Sequence, residues 1–489
     1  MNKIFTRILQ IKYIEYYLLS IVLLVGFGVR LYKINNPIAD WHSFRQADTA
    51  AVSRLYIKNG IDLLHPRYYD LSSTQSRMFN PEGYRFVEFP IYNALHALLA
   101  KNFTFFSLEV WGRLLTILFT EISAIIVFLL GNRFVGKWGG LISAFFFLFI
   151  PFNIYFTRVI LPEPMAVCFA LTAVYLFVRY IDLGKDRYLY FSAVLFFMAT
   201  LIKPFLLFYT IPLIYLINKK YPLKKVLKEP KLLIKYLLFS AIILIPFFAW
   251  RAWMSNFPAG IPGWKWMLNG DGIRFRPAFW RWIFGERLGI MILGVWGLVL
   301  FYFGVLSQKK GQQFINFFLL GLFAYVCLFA TVNVRHDYYQ TIAIPAIALA
   351  LAQGAMYLWA AKDFNKRLSR LLLIFSILFM LSSAAYQIKE FYKVNHPELV
   401  EVGKEVDMLL PKDAIIIAPY NGDTAFLYQT KRRGWPVIDT SVEQIIKRGA
   451  SYYVSVSLND TDTKMIEAKY ETVEKTASYI IIDLTKPKK

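Results

Sequence analysis

The chain has only two cysteines in 489 residues, and both, Cys168 and Cys327, lie inside apolar runs. They read as small core residues, which excludes a disulfide framework or a cysteine metal cluster as the basis of the fold. Histidine is also scarce, at five, and acidic residues are outnumbered 32 to 55 by lysine and arginine. The resulting formal charge of +23 could serve nucleic acid, but cytoplasmic loops of membrane proteins carry the same basic excess. Charge alone favours nucleic acid, so no nucleic-acid partner is expected. There is no internal repeat, no low-complexity segment and no glycine-rich turn after a strand, so nothing supports nucleotide binding. What the sequence does have is apolar surface: 57% of its residues are hydrophobic and 18% aromatic, and stretches of membrane-spanning length recur. These features describe a polytopic membrane protein.

A ruler of about 20 residues per helix places spans near 13–31, 110–130, 138–156, 163–180, 188–202, 204–218, 233–250, 288–306, 313–331, 341–360 and 369–386. That makes about eleven transmembrane helices. The basic start (Lys3, Arg7, Lys12) lacks a small-residue cleavage site before Arg30, so the first span is expected to be uncleaved. Basic residues fill alternate short loops: Arg133 and Lys137; Arg179, Lys185 and Arg187; the lysines from 219 to 235; Lys309 and Lys310; and Lys362 to Arg370. Those loops are cytoplasmic by the positive-inside rule, which sends 32–109, 157–162, 203, 251–287, 332–340 and the C-terminus outside. The expected domains are therefore 1–388, with a long first outer loop 32–109, and an extracytoplasmic 389–489. In the latter, "KDAIIIAPY", "SYYVSVSL" and "SYIIIDL" read as strands, while "HPELVEVGKEVDMLL" and "SVEQIIKRGA" read as helices, giving a small α/β domain.

The unusual polar residues all fall in outer loops. "ADWHSFRQADTA" places Asp40, His42, Arg45, Gln46 and Asp48 just past the first span. Two helical patches of this loop, "GIDLLHPRYYD" and "EFPIYNALHALLAK", have the pattern of helices lying in the membrane interface. "TRVILPEPM" puts Arg158 and Glu163 at a bilayer edge, where an acid is costly unless paired or hydrated; an Arg158–Glu163 salt bridge is the plain structural account. Lys203-Pro204 interrupts an apolar run, the proline explaining the break and a snorkelling lysine being the structural alternative. "NVRHDYYQ" adds Arg335, His336, Tyr338 and Tyr339. Together these clusters offer carboxylates to take a proton and cations to hold a leaving phosphate. Glycosyl transfer from a lipid-phosphate sugar needs that pair. Arg158, Lys203, Arg335, His336 and Tyr338 are the donor-phosphate candidates; Asp40, Asp48 and Glu163 are the catalytic acids; His42, Arg45 and Gln46 are supporting.

An acidic first outer loop, Arg158-x-x-Leu161-x-Glu163, Lys203-Pro204 at a span end and His336-x-Tyr338-Tyr339 resemble, in order and sidedness, the GT-C fold glycosyltransferases. The protein mannosyltransferase and aminoarabinose transferase group is the nearest branch. The resemblance implies a polyprenyl-phosphate-linked sugar as donor and a glycan, lipid or protein as acceptor. It also implies an extracytoplasmic active site in the plasma (bacterial inner) membrane, within cell-envelope chemistry. One departure matters: the family's Asp-Glu pair, about fifteen residues before the glycine ending the first loop helix, falls on Arg45-Gln46 when counted from Gly60. Asp40, preceding the helix start, is favoured as the base over Asp48, which has Arg45 as a partner one turn away. No cofactor is required, though Asp40, His42, Asp48 and Glu163 are ligand types that a divalent cation accepts. The competing functions are a membrane transporter or flippase, which places charge near the midplane and often shows repeated halves, and a non-catalytic scaffold acting through the C-terminal domain.

Overall fold

The computed structural model describes residues 13–488 except Gln308, Lys310 and Asp363. Lys3, Arg7, Lys12 and Lys310, used above for orientation, lie outside the described residues. Helices dominate the chain up to Ile388. Among the described residues, five helical stretches are long and apolar enough to cross a bilayer: Leu108–Phe134, Glu163–Leu183, Pro230–Met254, Asp337–Trp359 and Lys366–Leu409. A sixth is a broken pair, Pro277–Ile292 with Gly297–Leu306, bent by 113°. Other expected spans are shorter or interrupted. The stretch at 138–156 divides into Lys137–Phe149 and Pro151–Phe156, and the one at 204–218 starts as the 3-10 turn Pro204–Thr210 before Ile211–Lys220. Proline at the head of each second piece cannot donate to the preceding turn, so the helix restarts there. The 288–306 run departs furthest from a straight span. It is π-helical over Arg281–Ile292 and turns at Gly294 (φ 48°) and Val295 (φ 62°), left-handed values that end the helix.

The first outer loop holds the Ser43–Asn59 helix, ended by Gly60 at φ 93°, and the Ile91–Asn102 helix. The first of these is packed inside the protein. Arg45 through Ser53 are buried without interruption, because its small residues (Ala47, Ala50, Ala51, Ser53) let the Ile91–Asn102 and Ala425–Gln429 helices close against it. "GIDLLHPRYYD" contains no helix; Arg67 and Asp70 instead form bridges to Tyr84 and Gly434.

The C-terminal region is a five-stranded sheet. Strand Ile415–Ile417 runs parallel to Arg433–Trp435 on one side and to Tyr452–Ser455 on the other. Antiparallel Ile480–Pro487 and Tyr470–Lys475 complete it. Arg433–Trp435 and Tyr470–Lys475 went unread in the sequence: one is three residues long, and the other, YETVEK, is charged and largely exposed.

Candidate active site

The Ser43–Asn59 helix begins under constraint. His42, at its N-cap, has φ 55°, a conformation that costs a non-glycine residue energy and persists only when its surroundings hold it. Asp337 supplies the hold. Its carboxylate lies 3.7 Å from His42 Nε2, accepts Trp41 Nε1–H at 3.1 Å and pairs with Arg287 at 2.6 Å.

One helical turn later the same element delivers Arg45 and Asp48 to a cavity of about 280 Å³, also lined by Arg85, Lys203, Arg251, His336, Tyr338 and Tyr339. Four buried charges line it, Arg45, Asp48, Arg85 and Lys203, and two more, Glu88 and Glu163, pair with them from behind the wall. Arg45 pairs with Glu88 at 2.9 Å and lies 3.6 Å from Glu163; Lys203 pairs with Glu163 at 2.9 Å and lies 3.8 Å from Glu88. Arg85 binds Asp48 at 2.9 Å, and the Thr424 hydroxyl donates to the other Asp48 oxygen at 2.6 Å. Burial pushes the Asp48 pKa up against the opposing pull of Arg85 and Thr424. Burial acts the same way on Glu88, but there Arg45, Lys203 and Arg85 prevail and hold it down. Asp48 is thus the better proton acceptor of the two. The Nε and Nη1 atoms of both Arg45 and Arg85 are buried without hydrogen-bond partners, a costly arrangement and a set of donors ready for an anion. Among the described residues no carboxylate pairs with Arg251 at the cavity wall. His336 is held down to about 4, first by burial and then by the charges of His42 and Arg45, so at neutral pH it offers a neutral imidazole.

The remaining sequence candidates sit elsewhere. Asp40 and Arg158 are buried together, 3.9 Å apart, in a second cluster away from the cavity. There Gln46 donates to Asp40 at 2.6 Å, Arg158 donates to the Lys33 carbonyl at 2.8 Å, and Arg113 donates to the carbonyls of Ile34 and Asn36. These contacts pin the connector between the first span and the loop. The Arg158–Glu163 salt bridge is not formed, since Glu163 faces Lys203 and Arg45. Nor does Asp48 pair with Arg45: the Arg45 guanidinium is taken by Glu88, and Arg85 reaches Asp48 instead. Arg335 is exposed, 3.9 Å from Asp271 and 5.5 Å above the Trp266 ring. Neither Asp40 nor Asp48 lies in a hydrated loop, both being buried. Sequence reasoning missed Arg85, Glu88, Arg251 and Thr424. The first two lie in "YRFVEFP", where alternating charged and aromatic residues were the available signal; nothing local marks Thr424.

The metal-ligand types do not converge. Asp40, His42, Asp48 and Glu163 each have a different neighbour, and among the described residues no group of three His, Cys, Asp or Glu side chains is placed to hold an ion. The donor set, with its carboxylates matched to cations, does not fit a divalent metal.

Residues 90–250 match the family described as dolichyl-phosphate-mannose-protein mannosyltransferase. The fold matches ArnT from Cupriavidus metallidurans bound to undecaprenyl phosphate, with TM-score 0.58 and 10% identity over 96% of this chain and 97% of that one. It also matches the oligosaccharyltransferase of Archaeoglobus fulgidus in its apo form, with TM-score 0.57 and 12% identity over 94% of this chain and 73% of that one. A third match is the mycobacterial arabinofuranosyltransferase AftD, with TM-score 0.54 and 12% identity over 95% of this chain and 41% of that one. No curated protein matches the chain by sequence. The resemblance to the GT-C fold drawn from the motifs is thereby shown: this is a multi-pass membrane fold of that type.

Proposed function

We propose that the chain is an integral-membrane glycosyltransferase. It moves a hexosyl or pentosyl group from a polyprenyl-phosphate donor to a glycan, lipid or protein acceptor on the extracytoplasmic face of the plasma membrane. The observation that carries this reading is the sharing of one cavity by a buried carboxylate, Asp48, and the unpartnered guanidinium donors of Arg45 and Arg85. ArnT, of similar fold, binds undecaprenyl phosphate, which supports that class of donor here.

In the reaction Asp48 takes the proton of the acceptor hydroxyl as its oxygen bonds to the anomeric carbon. The carbon–oxygen bond to phosphate breaks, and polyprenyl phosphate leaves with the electron pair. Arg251, Arg85, Arg45 and Lys203 offset the charge that develops on it. Tyr338 and neutral His336 donate hydrogen bonds at the same wall. Asp40 and Arg158, placed among the site candidates by the sequence, belong in this reading to the scaffold. No step needs a metal.

Mass spectrometry of lipid-linked and acceptor-linked sugars, in membranes with and without the full chain, tests the proposal. A donor lipid that accumulates without the chain and is consumed with it, unaffected by a chelator, is the expected result. Movement of an unaltered lipid-linked sugar across the bilayer, without a new glycosidic product, would support a flippase instead.

A further inference from the structure

The C-terminal region meets the first outer loop at several points, one of them the turn from Asn421 to Thr424. The turn is built from left-handed residues, Asn421 at φ 52° and Gly422 at φ 79°, and is fixed by backbone bonds from Tyr420 and Gly422 to the Pro436 carbonyl. The helix that follows, Ala425–Gln429, is tied down on three sides. Arg54 donates to the Tyr428 carbonyl at 3.1 Å, the Tyr428 hydroxyl donates to Glu109 at 2.6 Å, and Gln429 donates to the Ile38 carbonyl at 2.9 Å. Such docking leaves little freedom in where the turn points. It points at the site: Thr424, buried, donates its hydroxyl to Asp48, and Asp423 lies 3.5 Å from the Ser43 hydroxyl at the start of the same helix.

We propose that this turn is a working part of the site, with Thr424 a positioning residue that orients the Asp48 carboxylate and Asp423 a neighbouring charge that tunes it. The inference rests on the assignment of Asp48 as base. With Arg85 on one oxygen and Thr424 on the other, each oxygen keeps a lone pair, and the carboxylate is fixed in one rotamer facing the cavity. A C-terminal domain acting only as an appendage would need no such contact.

The two residues act on Asp48 with opposite sign. The hydroxyl stabilises the ionised carboxylate, so its loss raises the Asp48 pKa; the Asp423 charge destabilises it, so its loss lowers that pKa. The other charged or titratable groups facing Asp48 are Arg85, Arg45, Glu88, Asp70 and Tyr68, and neither substitution removes them. In membranes holding the full chain, the rate of consumption of the endogenous lipid-linked sugar is followed against pH. Thr424→Val is expected to move the acidic limb to higher pH and to slow turnover about tenfold per unit of that movement on the limb. Thr424→Ser restores most of the rate, and Asp423→Asn moves the limb to lower pH. Binding of undecaprenyl phosphate to the purified chain in nanodiscs stays within about twofold, because the turn does not line the cavity wall. Limbs unmoved, or moved together in one direction, overturn the inference, as does Thr424→Ser failing like valine. Asp48→Asn is run beside them: if it stays active, the base assignment itself fails, whereas an inactive Asp48→Asn with unmoved limbs fails the turn alone.

Discussion

Two buried charge clusters lie within the same stretch of loop and membrane edge, built from the same residue types and put to different use. Around the cavity, Arg45, Arg85 and Lys203 meet Asp48, Glu88 and Glu163, and guanidinium donors are left over. Around Asp40, Arg158 and Arg113 each send one guanidinium nitrogen to the backbone carbonyls of 33–36; their other buried nitrogens are left over too, but neither side chain lines the cavity. A buried ion pair is costly to assemble and more costly to break by halves. The second cluster pays that cost to fix where the chain leaves the first span; in the first, unpartnered donors remain facing a ligand-sized space. Charge and burial alone therefore do not mark a site, but donors left over beside a cavity do.

The sharpest way to break this comparison is to neutralise one charge in each cluster. Asp48→Asn is expected to cut turnover by roughly a hundredfold or more, the usual worth of a general base, with undecaprenyl phosphate binding kept. Arg158→Gln, by contrast, should lower the melting temperature through a loss of up to about 3 to 5 kcal/mol, as buried Asp40 keeps only Arg113 as a neighbouring cation, while turnover per folded molecule stays near normal. Reversed outcomes in thermal melts and product assays would exchange the roles of the two clusters.

Next in size is the pair on which the cavity wall depends. Lys203→Met leaves Glu163 facing Arg45 alone and is expected to cost about 3 to 5 kcal/mol. The double variant with Glu163→Gln should recover a large part of that in melting temperature but not in turnover. A double variant less stable than either single would mean that the two side chains are not coupled. Smallest is Arg335→Gln. Its partner Asp271 is as open to solvent as it is, so turnover should change by no more than about fivefold, the ceiling for an exposed pair. A loss as large as that from Lys203→Met would bring Arg335 into the donor site.

Much of the fold was legible because its signals are local and repeated. Apolar length marks spans, the Asn59–Gly60 boundary marks a helix end, and runs such as "AIIIAP" mark strands. The breaks were harder to read. Nothing in the composition of 288–306 announces a 113° bend, because it depends on two left-handed residues and on what packs beneath them. The site was legible as residue types and loops, not as partners. Glu163 and Lys203 stood out as charges at span ends, yet forty residues separate them, and their pairing follows from helices lying side by side.

The sequence by itself determined that this chain enters a membrane, that its polar chemistry gathers in the loops between spans, and that a small α/β unit closes it. Each follows from a property that neighbouring residues share: hydrophobicity, charge or periodicity. Only the tertiary structure decided which aspartate faces a cavity, which arginines line that cavity and which bind backbone, and that Thr424, 376 residues from Asp48, completes its hydrogen bonding. Such choices rest on distances between elements far apart in the chain, and a carboxylate is a base or a structural anchor according to what packing places beside it.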